Sequence, residues 1–133
     1  MNEKEIRWKQ RFENFSRSFS LLEKYAENEL QNELERAGVI QFFEISFELS
    51  WKVMKDYLES EGLIVKSPRE TIKTAVQIEL IDRGHDWLDG LMMRNSTVHL
   101  YDEEAAKKAI TGIVTIYIPI LKQLHDKLQK EVE

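Results

Sequence analysis

The chain has 133 residues, 42% of them hydrophobic and 32% charged, with a net charge of −5, five glycines, two prolines and no cysteine. That length holds one domain with a real core and excludes two ordinary ones. Without cysteine there are no disulfides and no thiolate chemistry, the acidic balance argues against a broad electrostatic grip on nucleic acid, and no stretch approaches the roughly 18 apolar residues of a membrane span.

The polar start Met1-Asn2-Glu3-Lys4-Glu5 lacks the apolar run of a signal peptide, so a cytoplasmic location away from membranes is expected. The scarcity of glycine and proline predicts long helices rather than a turn-rich β fold. A first helix is predicted from about Glu3 to Asn28. Its apolar residues Trp8, Phe12, Phe15, Phe19, Leu22 and Ala26 recur at spacings of 4, 3, 4, 3 and 4, a stripe suited to antiparallel helix packing. A second helix should span about Glu33 to Ser60. It is apolar around most of its circumference, with Ile40, Phe43, Phe47, Trp51, Met54 and Leu58 on one side and Phe42, Ile45, Leu49 and Val53 on the other. Such a helix sits centrally in a bundle or inside a dimer interface. Its one polar stripe is Gln41, Glu44, Glu48, Lys52, Lys55 and Glu59. That stripe is either simply solvated or turns Glu44 and Glu48 toward a site.

Gly62 should end the second helix as its C′ residue. Ser67-Pro68-Arg69-Glu70 then opens a third helix with serine as N-cap, proline at the first position and a capping-box glutamate. That helix is predicted to reach about Ile81. Gly84 should break the chain, with Gly84-His85-Asp86 forming a loop and cap. A fourth helix follows from about Asp86 through Trp87, Leu88, Leu91 and Met92 to the segment Arg94–Thr97. The last region is ambiguous, because Ile110–Ile118 is β-branched enough for a strand. Its flanks are helical, with acidic residues at the start and Leu124 and Leu128 in register later, so one long helix is predicted from about Asp102 to Lys130. Pro119 should kink it, since proline cannot donate to the carbonyl of Thr115. The expected fold is all-α: a single up-and-down bundle of four to five helices over residues 1–133.

The chemistry is concentrated in Arg94-Asn95-Ser96-Thr97-Val98-His99-Leu100-Tyr101. Arginine offers a permanent charge and a planar fork suited to phosphate, and histidine is the side chain most easily poised for proton transfer near neutral pH. A helix stop followed by a cap is the plainer reading of the same residues. Arg94 and His99 lie about 140° apart around a continuous helix, so they converge only if the chain turns between them. No metal site is expected, because His85, His99 and His125 are widely separated and no His-x-x-x-His pair exists. His125 lies on a charged helix face and should be exposed. No glycine is followed by serine, so the chain also lacks the start of a nucleotidyltransferase active site.

Arg94-Asn95-x-x-x-His99 resembles the Arg-x4-6-His signature of HEPN domains, and His99-x-Tyr101 extends it toward HepT-type toxins. Further segments resemble the nucleotidyltransferase substrate-binding protein family, a HEPN relative. They are Phe43-Glu44-x-x-Phe47-Glu48-Leu49-x-Trp51-Lys52, Asp56-Tyr57-Leu58, Ser67-Pro68-Arg69-Glu70, Trp87-Leu88-Asp89 and Arg94-Asn95-x-Thr97-x-His99-x-Tyr101-Asp102-Glu103. They run in order from the second helix to the start of the last. The resemblance implies a HEPN-like bundle that forms a homodimer and works with a separately encoded minimal nucleotidyltransferase in a toxin–antitoxin-like pair. Nucleotide and magnesium would be held by that partner, with no cofactor intrinsic to this chain. The pocket it implies is lined by Arg94, Asn95, Thr97, His99 and Tyr101. In a metal-independent ribonuclease of this type, Arg94 would hold the scissile RNA phosphate, His99 would act as general acid or base, and Asn95 would orient the pair. The partner would silence such a toxin by adding AMP to Tyr101.

Overall fold

The computed structural model describes residues 2–96 and 101–133, and among them the chain is helical with no strand. Helix α1 (Glu3–Ala26) starts at Asn2, whose side chain accepts from the Glu5 N–H, and ends two residues before the expected Asn28. Its predicted stripe is the core face: Trp8, Phe12, Phe15, Phe19 and Leu22 are all buried. Helix α2 (Glu33–Ser60) has the predicted bounds, capped by Asn32. It packs against every other α-helix, as its nearly all-round apolar surface requires. Ile40, Phe43, Phe47, Val53, Met54 and Leu58 are buried, whereas Phe42 and Leu49 are half-buried and Ile45 is 41% exposed. Polar ties cross from α1 to α2: the Ser18 and Ser46 hydroxyls meet at 2.7 Å, and Arg11 Nε donates to the buried Asp56 carboxylate at 3.0 Å.

Two helices end in the same hydrogen-bonded turn. Gly62, at φ 84°, follows α2, with its N–H on Glu59 O and the Leu63 N–H on Leu58 O. This is the predicted glycine stop. Helix α3 (Pro68–Gln77) opens at Ser67, which accepts from the Glu70 N–H, while the Glu70 carboxylate accepts from the Lys66 N–H. It stops four residues short of the expected Ile81. Glu79 takes the left-handed turn at φ 63°, and the Leu80 N–H closes back on Ala75 O. Leu80 and Ile81 are still buried, so their apolar character reports packing rather than helix.

Helix α4 (Gly84–Asn95) begins two residues before the expected Asp86. Gly84 is its first residue, not a break, and the break falls on Arg83 at φ 51°. Arg83 Nε in turn donates to Asp86 Oδ2 at 2.9 Å. Glycine is needed at position 84 for a different reason: a Cβ there would lie 2.9 Å from Val76 Cγ2.

The β-branched stretch is helical, as its flanks predict. Helix α5 (Glu103–Gly112) runs into a π-helical segment over Ile113–Tyr117 and then α6 (Ile118–Val132). The disturbance expected as a kink at Pro119 is this widened turn, in which the Ile118 N–H reaches Ile113 O five residues back. Pro119 thereby sits in the first turn of α6, where a missing N–H is tolerated. His125 is the other departure. It is half-buried rather than exposed, stacked on Phe12 at 5.0 Å with Nε2 2.9 Å from Ser16 Oγ. Packing of α6 on α1 covers the ring, while Lys122, Asp126 and Lys127 around it remain exposed.

Candidate functional site

The C-terminal turn of α4 lies beside the middle of α2 and carries Arg94 and Asn95. Gly90 sets this approach, because a Cβ there would lie 2.7 Å from the Phe47 ring and 3.3 Å from Tyr117. Arg94 is half-buried, and its Nε lies 3.3 Å from Glu48 Oε2. Glu48 also accepts from Trp51 Nε1 at 3.1 Å and pairs with Lys52 Nζ at 3.3 Å. Burial raises the Glu48 pKa, but the hydrogen bonds from Trp51 and Lys52 and the charges of Arg94 and Lys52 outweigh it. The carboxyl is held below its ordinary range. Glu48 is thus ionised at neutral pH and fixes the arginine in place.

Arg94, Glu44 and Glu48 line one cleft of about 300 Å³ together with Gln41, Ile45 and Leu49. The part of the α2 polar stripe from Gln41 to Glu48 therefore faces a concavity shared with Arg94. Among the described residues Arg94 Nε is buried without a geometrically satisfied hydrogen bond. That nitrogen faces Glu48, so an anion in the cleft would meet the outer guanidinium nitrogens instead.

Helix α4 ends at Asn95, which is exposed, and Ser96 leaves the helix with extended backbone at ψ 155°. The continuous helix that would hold positions 94 and 99 apart therefore does not exist. Thr97 and His99 themselves lie outside the described residues, and so does their approach to Arg94. The chain is described again at Tyr101, which is 84% exposed. Asp102 follows as the predicted N-cap of α5, its Oδ1 accepting from the Glu104 and Ala105 N–H groups at 3.1 and 3.2 Å. Of the residues singled out from the sequence, the structure brings Arg94, Glu44 and Glu48 together, and puts Asn95 and Tyr101 on the surface. Trp51 and Lys52, which set the charge state and position of Glu48, were visible only as parts of an apolar face and a polar stripe.

A family model described as "Nucleotidyltransferase substrate binding protein like" matches residues 10–130. Among curated proteins the chain is similar to "Probable ribonuclease HepT" of Haemophilus influenzae. The two are 32% identical over 101 residues, which is 70% of this chain and 69% of that protein. Among solved structures it is similar to a crystal structure of a protein from Thermus thermophilus, at 31% identity and a TM-score of 0.73. That match covers 86% of this chain and 98% of the other.

Proposed function

Since the chain belongs to the nucleotidyltransferase substrate binding protein like family, we propose that it is the HEPN-type, substrate-binding partner of a separately encoded minimal nucleotidyltransferase. The observation that carries this reading is the Arg94 guanidinium, anchored by Glu48 on an open cleft, with exposed Asn95 following it in the chain. In this reading the pocket takes a nucleotide phosphate on Arg94, with Asn95, Thr97 and His99 completing it. Glu48 holds the arginine from beside it, and Glu44 lines the same cleft. The partner supplies ATP and magnesium. The chain works as a homodimer, since Ile45 on the second flank of α2 is 41% exposed and Met92 on α4 is 62% exposed. Apolar surface of this kind beside a site favours a covering subunit.

A second reading is favoured by one comparison, the similarity to a protein named as a probable ribonuclease. Here Arg94 stabilises the scissile phosphate and His99 moves the proton as the RNA 2′-hydroxyl attacks, without a metal. One experiment tests the first reading against the second. The chain is incubated with RNA in a chelator, alone and with a minimal nucleotidyltransferase from the same organism. The partner-subunit reading expects a stable complex and intact RNA in both arms. RNA cleavage by the chain alone, lost in Arg94→Ala and His99→Ala, would overturn it in favour of the ribonuclease.

A further inference from the structure

A second cationic site lies at the other end of α2. Arg36, in the first turns of that helix, has a side chain only 10% exposed. Its guanidinium carries five donors and a charge, and its nitrogens are not sealed from solvent. Among the described residues its side chain has one ionic partner: Glu103 Oε1, 3.8 Å from Nη2, beyond hydrogen-bonding distance. Glu103 is itself 59% exposed at the start of α5 and reaches Lys107 Nζ at 2.9 Å. So one surface carboxylate is shared by two cations and satisfies only one of them.

Arg36 and Lys107 open onto a cleft of about 270 Å³ lined also by Asn28 and Thr111. A water molecule takes about 30 Å³, so the space accepts a larger polyatomic group. With its carboxylate exposed, a pair of this kind contributes little to stability unless its geometry is close. The 3.8 Å separation is poor geometry for that purpose. It suits a carboxylate standing where a better oxyanion belongs. A phosphoryl group has more oxygens and more charge than a carboxylate. It can engage the arginine fork in two bonds while meeting the lysine as a point charge.

We propose that Arg36 and Lys107 form an oxyanion site for the phosphoryl group of a small ligand, with the Glu103 carboxylate as its internal competitor. Glu103 behaves as such a group: the hydrogen bond and charge of Lys107 and the charge of Arg36 hold its carboxyl below the usual range. The site is separate from the Arg94 cleft. Arg36 and Glu48 are twelve residues apart on α2, roughly 18 Å along the helix. The proposal does not depend on the partner reading.

The test titrates the full chain with inorganic phosphate, pyrophosphate and AMP, and follows the Arg36 side-chain Nε–H resonance. A saturable shift of that resonance is expected with pyrophosphate. Glu103→Gln, at an exposed position, should tighten binding about tenfold, and Lys107→Gln should weaken it about tenfold, the size of one charge-assisted hydrogen bond. AMP binding more tightly than free phosphate would identify a nucleotide as the source of the group; equal affinity would identify the inorganic ion. No saturable shift in either the wild type or Glu103→Gln would overturn the proposal. So would binding that neither substitution changes.

Discussion

At the scale of single residues, Glu48 decides how Arg94 is presented. Its carboxyl is held below the ordinary value of 4.5, so the folded state binds the proton less readily than the unfolded state. The stability it contributes is therefore present above about pH 4.5 and lost as pH falls through the lower, folded value. Glu48→Gln should cost about 0.5–1 kcal/mol at neutral pH, a figure discounted for solvent screening of a half-exposed group. That difference from wild type should vanish in acid. Denaturant unfolding at neutral pH and well below pH 4.5 checks both the size and the sign.

Tyr101 belongs to the same scale. Under the ribonuclease reading, in which the partner silences the chain by adding AMP, its phenolic oxygen would attack the α-phosphorus of the partner's ATP. The new P–O bond forms as pyrophosphate leaves, and the phenol proton passes to solvent or a base of the partner. A neutral phenol is a weak nucleophile, so the partner's magnesium would have to activate the nucleotide. Incubation with partner, ATP and magnesium should add one or more AMP units to the chain's intact mass, and Tyr101→Phe should remove the adduct. Adduct formation that persists in Tyr101→Phe would assign the modification elsewhere.

At the scale of elements, the α4–α2 contact is the joint that places Arg94. Gly90→Ala would drive a Cβ to 2.7 Å from the ring of fully buried Phe47. Overpacking of this kind costs about 1–3 kcal/mol, only partly offset by the roughly 1 kcal/mol that alanine gains over glycine in a helix. A lowered Tm in thermal unfolding is the expected result, and an unchanged or raised Tm would show that Phe47 can move aside.

The elements themselves were largely legible from sequence. The 4-3 stripe of α1, the bounds of α2 and the Gly62 and Ser67 signals all describe local chemistry that the fold keeps. The departures share a cause in tertiary packing. Leu80 and Ile81 look like a continuation of α3 but are buried after a left-handed turn at Glu79, which no glycine announces. Gly84 looks like a break, yet it opens α4 behind the left-handed Arg83, and a Cβ there would press on Val76. His125 sits among charges in sequence but under Phe12 in space. The widened turn at Ile113–Tyr117 lies just before Pro119, where the sequence led to an expected kink.

The candidate site was legible in its chemical types and not in its geometry. Arg94 and Tyr101 stand out as a dense polar cluster. That Glu48 rather than another member of its stripe meets Arg94 depends on the rotation of α4 against α2. Arg36 gives no sequence signal, since a single arginine between Glu35 and Ala37 reads as an ordinary solvated charge.

At the scale of the molecule, α2 organises everything: it is the shared wall of the bundle, and it carries the carboxylates of the Arg94 cleft near its middle. Its second flank is only partly covered, with Ile45 exposed beside that cleft. The proposed homodimer and the proposed nucleotidyltransferase both call for surface near this end of α4. Among the described residues no helix is long and apolar enough to cross a membrane. The central claim is that this chain is one half of a two-protein system, and the most direct measurement is the mass of the mixture in solution. Sedimentation of the chain with a minimal nucleotidyltransferase from the same organism should give a single species heavier than either protein alone. Arg94→Ala, checked for an unchanged circular dichroism spectrum, should weaken that species. Two boundaries sedimenting independently, each at the mass of its separate protein at micromolar concentration, would contradict the account.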